Sequence, residues 1–222
     1  MKILITGSFK GIGKTVYEQL SLSHEVYGID KQMGDTVDIV HDLNDLTTLD
    51  KVLESLPVMD VIIHNAAFQG SEPFETLSLD VVKEAMQVNL YAGIKLSQWM
   101  AKQESHHPRK LIFISSTRAR MSEKDTIPYT VSKAALEGLT HALAITLSEK
   151  QITVNAVAPG WIHTTDEPLK EEEHAFHPSK RVGKPLDIYK AIAYIIDPDN
   201  TFLNGETITV DGGVTKKMIY PE

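Results

Sequence analysis

Residues 2–13 read KILITGSFKGIG, a short apolar run that leads into three glycines spaced over seven positions. The run at residues 2–6 predicts a buried strand, and residues 15–20 predict the helix that follows the glycines. A strand, a glycine turn and a helix together form an anion site, because free backbone N–H groups at the helix start point at a phosphate. The missing Cβ atoms of the glycines let a pyrophosphate approach the backbone. The stretch therefore predicts an α/β chain whose first strand and helix bind a nucleotide.

A rival phosphate loop is suggested by Gly13-Lys14-Thr15, which is the ending of a Walker A motif. That motif requires a glycine five positions before Gly13, where this chain has Ser8, so the register is wrong for a triphosphate. A nucleotide hydrolase also needs a magnesium-binding Asp after an apolar strand. Asp60 instead precedes the apolar run at residues 61–63. The sequence therefore disfavours a hydrolase.

The second apolar run, residues 26–29, ends at Asp30, which lies 17 positions beyond Gly13. An acid at the end of the second strand accepts hydrogen bonds from both ribose hydroxyls of an adenosine and repels a 2′-phosphate. Asp30 therefore favours NAD over NADP as the cofactor. Lys10 in the glycine turn keeps NADP open, because a cation there could meet a 2′-phosphate unless it pairs with Asp30.

Tyr129 and Lys133 stand four residues apart, a spacing that places both side chains on one face of a helix. Residues 134–147 supply good helix formers at mostly helical spacing, which supports a helix here. The Lys133 charge would favour the phenolate of Tyr129, because an unperturbed phenol titrates at about pH 10, too high for a base at neutral pH. The pair thus has the chemistry of a proton-transfer site beside the nucleotide.

The apolar run at residues 111–114 predicts a strand that delivers Ser115 and Ser116 at its carboxyl end, where open parallel sheets bind ligands. Because side chains alternate along an extended chain, only one of the two serines points at the cofactor. Residues 152–157 and 207–210 predict further strands, and residues 185–196 predict a helix.

These motifs resemble the short-chain dehydrogenase/reductase family, in its ordinary one-domain subtype, from residue 2 to residue 213. The TGxxxGxG form at residues 6–13 is typical of that subtype, and residues 64–67 correspond to its Asn-Asn-Ala-Gly segment. Residues 158–160 match the stretch that holds the nicotinamide amide. The resemblance implies a doubly wound parallel sheet of the Rossmann type, in three layers, as a single domain over residues 1–222.

The resemblance also implies the site residues. It gives a catalytic set of Asn89, Ser116, Tyr129 and Lys133. It gives a cofactor-binding set of Gly7, Lys10, Gly11, Ile12, Gly13, Asp30, Asp42, Leu43, Asn65, Ala66, Tyr129, Lys133, Pro159, Gly160, Ile162 and Thr164.

The roles that the resemblance implies belong to an oxidoreductase. Tyr129 would be the general acid or base for hydride transfer between a nicotinamide dinucleotide and a carbonyl or alcohol substrate. Ser116 would donate a hydrogen bond to the substrate oxygen, and Lys133 would also hold the nicotinamide ribose. Asn89 would hold a water that passes protons to solvent. The alternative is a catalytically silent dinucleotide-binding redox sensor, which would have no need of the acid.

The sequence departs from the family pattern at three places. Asp42 comes only 12 positions after Asp30, so we expect the usual crossover helix to be missing and residues 37–40 to form a short strand. The second departure covers two residues. His64 replaces the first Asn directly after an apolar run, which favours a packed, hydrogen-bonded imidazole over a catalytic or metal-binding one. Ala67 replaces the Gly, which is tolerable if its φ stays negative.

The third departure is a short segment at residues 165–177, where the family has its mobile substrate lid. Together with nearby carboxylates, His163, His174 and His177 could suggest a metal site. We expect no metal, because hydride transfer beside Tyr129 needs none and a charge run is usually a solvated helix face. The short lid implies a modest or open substrate pocket.

The composition fits a small-molecule enzyme. The 222 residues carry 22 basic and 30 acidic side chains, and the net charge of −8 disfavours nucleic acid and anionic membrane as partners. There is no cysteine, so neither a disulfide framework nor a thiol nucleophile is available. We expect a cytoplasmic protein without a membrane span. The resemblance implies a homodimer or homotetramer, and the apolar tail at residues 218–220 either packs on a neighbouring subunit or frays.

Overall fold

The computed structural model describes residues 1–218, so Ile219 and Tyr220 of the apolar tail lie outside the described residues. The described strands form one parallel sheet in the order β3-β2-β1-β4-β5-β6-β7. These strands are β1 (Lys2–Thr6), β2 (Glu25–Asp30), β3 (Ile39–Val40), β4 (Val61–His64), β5 (Arg109–Ile114), β6 (Ile152–Pro159) and β7 (Thr207–Val210).

Helices cover both faces of the sheet. The α-helices are α1 (Gly11–Leu20), α2 (Leu46–Glu54), α3 (Leu79–Met86), α4 (Ala92–Lys102), α5 (Ile127–Thr146), α6 (Glu171–Phe176) and α7 (Pro185–Ile196). A π-helical turn, Gln87–Tyr91, joins α3 to α4. Across residues 1–218, none of these helices combines the length and the apolar character that crossing a membrane requires.

Two apolar layers account for this architecture. Leu4 and Ile62, one residue from each central strand, pack in a cluster with side chains from α2, α4 and α5. Ile5 and Ile63, the next residues along, pack in a second cluster with side chains from α1 and α7. A strand buried on both faces must be apolar at consecutive positions, which is why these runs read as continuous in the sequence. The predicted doubly wound, three-layer fold is confirmed.

The strand order reverses at β1, which pairs with β2 on one side and with β4 on the other. In an open parallel sheet, this reversal leaves a crevice at the carboxyl ends of the strands, where ligands bind. The glycine turn follows β1 directly and therefore lies at the mouth of the crevice. Asp30, His64 and Ile114 end β2, β4 and β5 at the same edge.

The connection between β2 and β3 is as short as the sequence predicts. Residues 31–38, all of them described, contain no helix. β3 has two residues where four were expected, because the Asp38 carboxylate turns back and accepts hydrogen bonds from the Gly28 N–H (2.7 Å) and the Tyr17 hydroxyl (3.2 Å). The Thr36 hydroxyl donates to the Ser8 carbonyl (2.6 Å). The connection between β2 and β3 is therefore hydrogen-bonded to the glycine turn.

Candidate active site

The glycine turn is shaped for close approach of backbone to a ligand. Gly7 has a φ of +71°, in the left-handed region. A Cβ on Gly13 would lie 1.9 Å from the Gly7 carbonyl oxygen, far inside any permitted contact. Helix α1 begins at Gly11, and among the described residues no side chain caps its first N–H groups. Those N–H groups and the positive end of the helix dipole fit a pyrophosphate.

Asp30 lies at the end of the crevice where the sequence predicts the adenosine of a dinucleotide. Its Oδ2 accepts from the Phe9 N–H (3.1 Å) and its Oδ1 from the Gln32 N–H (3.0 Å), so the turn orients the carboxylate. Within residues 1–218, Lys10 forms no ion pair with Asp30. The cation thus stays near the turn without neutralising the acid.

Asp42 follows β3, the strand at one edge of the sheet. The Asp42 side chain is exposed, and its Oδ1 accepts from the Asn44 N–H (2.9 Å). The Leu43 side chain is buried in the apolar core, so its backbone is the part that can meet an adenine.

The floor of the crevice is organised by Thr6, a residue that the sequence analysis did not select. The N–H groups of Asn65 and Ala66 both donate to its hydroxyl oxygen, each at 3.1 Å. The Asn65 amide also donates to the Gly7 carbonyl (2.9 Å). Described non-glycine residues with positive φ are Asp125, Gln151 and Lys180, so the condition set for Ala67 is met. The sequence signals for Thr6 were its place as the last residue of the first strand and as the threonine of the TGxxxGxG form.

His64 is fully buried and hydrogen-bonded, as predicted. Its Nδ1 lies 2.9 Å from the Thr6 hydroxyl oxygen, and its Nε2 lies 3.1 Å from the Asn89 carbonyl oxygen. Burial, and then the charge of Lys133, lowers the pKa of His64 to about 4. The imidazole is therefore neutral at physiological pH.

Ser115 and Ser116 directly follow β5, and their hydroxyls make different contacts. The buried Ser115 hydroxyl donates to the Lys133 carbonyl (3.1 Å) and so ties the strand to α5. The Ser116 hydroxyl oxygen accepts from the Arg118 N–H (3.2 Å). Burial raises the pKa of the Tyr129 phenol, and the hydrogen bonding of Ser116 toward that phenol opposes this rise in part. Ser116 is thus the serine that lies beside Tyr129.

Tyr129 and Lys133 share one face of α5, with the Lys133 Nζ 5.5 Å from the centre of the Tyr129 ring. The Lys133 Nζ donates to the Ile114 carbonyl (2.6 Å), at the end of β5. The residue is 1% exposed, and this burial lowers the pKa of Lys133 to about 7. An ammonium at the carboxyl end of a strand, beside a phenol, is placed for proton transfer.

The pKa of Tyr129 differs from the sequence expectation. It is raised, because burial outweighs the opposing effects of the Ser116 hydrogen bond and the Arg118 charge. A lysine with a pKa of about 7 is only partly charged at neutral pH, so Lys133 favours the phenolate less than the spacing suggested. The Arg118 guanidinium lies 5.9 Å from the ring centre and is ion-paired with Glu123. The charge of Arg118 therefore offsets part of the effect of burial on this phenol.

The buried Lys133 predicts a pH dependence of folding stability. Its folded pKa of about 7 lies below the ordinary 10.5, so from about pH 7 to pH 10 the unfolded chain binds more protons and the free energy of unfolding rises with pH. Below pH 7 the full cost of burying the charge is present. Lys133→Met should flatten this rise, which amounts to a few kcal/mol at about 1.4 kcal/mol per pKa unit. Denaturant titrations of both proteins without dinucleotide would measure it, and identical pH profiles would contradict the prediction.

Asn89 lies in the π-helical turn, where its side chain joins two parts of the site. Its Oδ1 accepts from the Phe68 N–H (2.7 Å), and its Nδ2 donates to the Phe68 carbonyl (2.9 Å). The same Nδ2 donates to the Ser132 hydroxyl (2.8 Å), on α5. Asn89 therefore connects the loop after β4 to α5, and its expected role in holding a water stays a prediction.

The stretch after β6 closes the other end of the crevice. Pro159 ends the strand, and the Gly160 N–H donates to the Val210 carbonyl (3.0 Å). Ile162 forms a bridge with Gly183. A Cβ on Gly11 would lie 3.3 Å from the Thr164 Cγ2, so Thr164 lies against the glycine turn. The structure thus brings the two ends of the predicted cofactor set together.

Two histidines of the segment at residues 165–177 make hydrogen bonds with the backbone. The His174 Nδ1 accepts from the Val182 N–H (3.2 Å), and the His177 Nδ1 lies 3.0 Å from the Glu173 carbonyl oxygen. In the part of the chain that the structure describes, no three His, Asp or Glu side chains are grouped so that they could hold a metal ion.

Among Rossmann-type sheets, a proton-transfer pair at the same edge as the phosphate turn is typical of oxidoreductases that use a dinucleotide. An alignment model for a family described as Enoyl-(Acyl carrier protein) reductase matches residues 15–215. An uncharacterized oxidoreductase of Thermotoga maritima is 36% identical over 183 residues, which cover 78% of this chain and 72% of that protein. Glucose 1-dehydrogenase 2 of Bacillus subtilis is 30% identical over 98% of this chain and 95% of its own.

A solved structure shows the same likeness in three dimensions. A 4-hydroxyisoleucine dehydrogenase complexed with NADH matches with a TM-score of 0.89 and 30% identity, over 98% of this chain and 99% of that one. The protein belongs to the short-chain dehydrogenase/reductase family, whose members are nicotinamide-dependent oxidoreductases. The resemblance drawn from its motifs is confirmed.

Proposed function

We propose that this protein transfers a hydride between NAD and the carbonyl or alcohol carbon of a small-molecule substrate, with Tyr129 as the general acid or base. The observation that carries the proposal is the shared face of Tyr129 and Lys133 on α5, beside Ser116 at the carboxyl end of β5. The glycine turn opens at the same sheet edge. When bound there, the nicotinamide supplies or accepts the hydride.

The protein groups have complementary roles in this proposal. A raised pKa keeps the Tyr129 phenol protonated at neutral pH, the form that donates a proton when a carbonyl is reduced. Ser116 donates a hydrogen bond to the substrate oxygen as negative charge develops on it. Lys133, with a pKa of about 7, exchanges protons near neutral pH and so replenishes the proton of Tyr129.

The test is a screen of carbonyl and alcohol compounds in which the change in nicotinamide absorbance is followed. Turnover with any of them supports hydride transfer, and its absence despite tight dinucleotide binding would favour the redox sensor. The relatives described above are oxidoreductases and dehydrogenases, which favours the enzyme.

Asp30 supports NAD as the preferred cofactor, because its carboxylate is oriented by two N–H groups and unpaired with Lys10 within the described residues. Asp30→Ser should weaken NAD binding by about tenfold or more, since a hydrogen bond to a charged group is worth about 1.5–3 kcal/mol. The same change should strengthen NADP binding, because it removes a charge that repels the 2′-phosphate. Fluorescence titration with both dinucleotides measures the two Kd values. Asp35→Asn, which removes an exposed charge from the same connection, is the control.

We also propose that the protein forms a homodimer or homotetramer through the helices that carry Asn89 and Tyr129, where members of this family associate. Tyr91, Val131 and Ile145 are 45%, 48% and 78% exposed on the π-helical turn and α5, which is costly for apolar side chains unless another surface covers them. Static light scattering at micromolar concentration tests the assembly. A mass equal to one chain would contradict it.

A further inference from the structure

His64 is a buried imidazole to which the proposed chemistry assigns no step. It ends β4 with 1% exposure, between the Thr6 hydroxyl on β1 and the Asn89 carbonyl in the π-helical turn. His64 therefore contacts both the strand that leads into the glycine turn and the turn that carries Asn89.

Hydrogen-bond counting fixes which nitrogen of His64 carries the proton. A threonine hydroxyl has one donor and two acceptor sites. The N–H groups of Asn65 and Ala66 fill both acceptor sites of the Thr6 oxygen, so its own O–H donates to the His64 Nδ1. The Nδ1 is then an acceptor, and the proton of the neutral ring lies on Nε2. That Nε2–H donates to the Asn89 carbonyl.

A second set of hydrogen bonds leads from the Asn89 side chain into α5. The Asn89 Nδ2 donates to the Ser132 hydroxyl (2.8 Å), and that hydroxyl donates to the carbonyl of Tyr129 (2.9 Å). Every donor in the series from Thr6 to Tyr129 thus has a defined acceptor. Because both sets meet at Asn89, one at its backbone carbonyl and the other at its side-chain amide, fully paired buried groups on each side favour one geometry of the π-helical turn.

The surroundings of the imidazole hold its ring plane. The rings of His64 and Phe113 meet edge to face at 6.3 Å between centroids. A Cβ on Gly93 would lie 3.0 Å from the His64 Cδ2, so the glycine leaves just enough room for the ring. A nearby ammonium, that of Lys133, opposes protonation of the imidazole.

We propose that His64 is a positioning residue. Its Nε2–H holds the π-helical turn that carries Asn89 and thereby fixes the position of α5 relative to the glycine turn. The expected change in kcat rests on the proposed hydride transfer. The expected position of α5 rests on the hydrogen bonds alone. Loss of the His64 Nε2–H should shift Tyr129. It should leave Asn65 and Ala66 in place, because their own N–H groups donate to Thr6. A misplacement of about 1 Å at the reacting group can cost about a hundredfold in rate.

Two amide substitutions separate the two ring nitrogens. In His64→Asn the side chain is long enough to reach the Thr6 hydroxyl but too short to donate to Asn89, whereas in His64→Gln the amide reaches the position of Nε2. With a substrate found in the screen, we expect kcat of His64→Asn to fall by about tenfold to a hundredfold. The dinucleotide Kd and the substrate KM should stay within about threefold, and kcat of His64→Gln should stay well above that of His64→Asn. Equal loss of kcat in both variants, or a loss carried by KM, would overturn the proposal.

A measurement on the unaltered protein keeps the inference testable if the variants do not fold or no substrate is found. Nitrogen-15 NMR of histidine-labelled protein with bound dinucleotide distinguishes the protonated ring nitrogen of each imidazole. We expect His64 to be protonated on Nε2 alone at neutral pH. Protonation on Nδ1, or on both nitrogens, would overturn the proposal. A protein with this tautomer but with no turnover in the screen would instead contradict the proposed function.

Discussion

Replacing Tyr129 with Phe should lower turnover by about 10²–10⁴-fold, the usual contribution of a general acid or base. The substitution keeps the ring, its packing and its contact with Lys133, and it removes only the hydroxyl that exchanges the proton. Dinucleotide affinity should therefore change by less than about threefold, since this loss belongs to the chemical step. The measurement is steady-state kinetics together with titration of the dinucleotide.

The control for this prediction is Tyr194→Phe, which removes the hydroxyl of a tyrosine on α7 that is 60% exposed. Its kinetics should match those of the parent. Turnover of Tyr129→Phe close to that of the parent would end the assignment of Tyr129 as the proton donor. A large rise in the dinucleotide Kd would instead show that the hydroxyl serves binding.

The second large effect is expected at the glycine turn. Gly13→Ala should weaken dinucleotide binding by about a hundredfold or more, because its Cβ would lie 1.9 Å from the Gly7 carbonyl oxygen and 2.6 Å from the Asn65 amide nitrogen. The backbone must move to remove these clashes, which turns its N–H groups away from the pyrophosphate. The loss of one or two hydrogen bonds to a charged group, at about 1.5–3 kcal/mol each, accounts for this magnitude.

Gly138→Ala is the matched control, because the added Cβ would meet no atom within 4 Å. Its dinucleotide affinity should equal that of the parent. Isothermal titration of both variants, with thermal unfolding recorded on the same samples, gives the comparison. A folded Gly13→Ala protein that binds dinucleotide as the parent does would show that the turn is not the phosphate site.

The fold was predictable because its signals are local. Strands β4 and β5 are buried on both faces, so the runs at residues 61–63 and 111–114 are apolar throughout and are visible without any knowledge of their neighbours. The missing crossover helix could also be predicted, because Asp42 follows Asp30 by only 12 positions, which limits what the chain between them can form. The length of β3 could not, since the Asp38 carboxylate competes for the Gly28 N–H through a contact ten residues away.

The residues of the site could be predicted from the sequence better than their pKa values could. Spacing and family resemblance selected Ser116, Tyr129 and Lys133, and the structure brings them together. The direction of the Tyr129 pKa depends on how deeply α5 buries the phenol, which a four-residue spacing does not encode. The roles of Thr6 and His64 depend on hydrogen bonds that span 58 and 25 positions of the chain. Such contacts exist only once β1, β4 and the π-helical turn are side by side.

The two-residue length of β3 has a consequence for how the protein behaves at high concentration. An exposed sheet edge is a template on which another chain can add its own strand, and natural proteins limit this hazard by keeping such edges short. Ile39 and Val40 offer too little unpaired backbone to hold an extended segment from another molecule. We therefore expect β3 to be a poor template for the strand-to-strand growth that leads to fibrils.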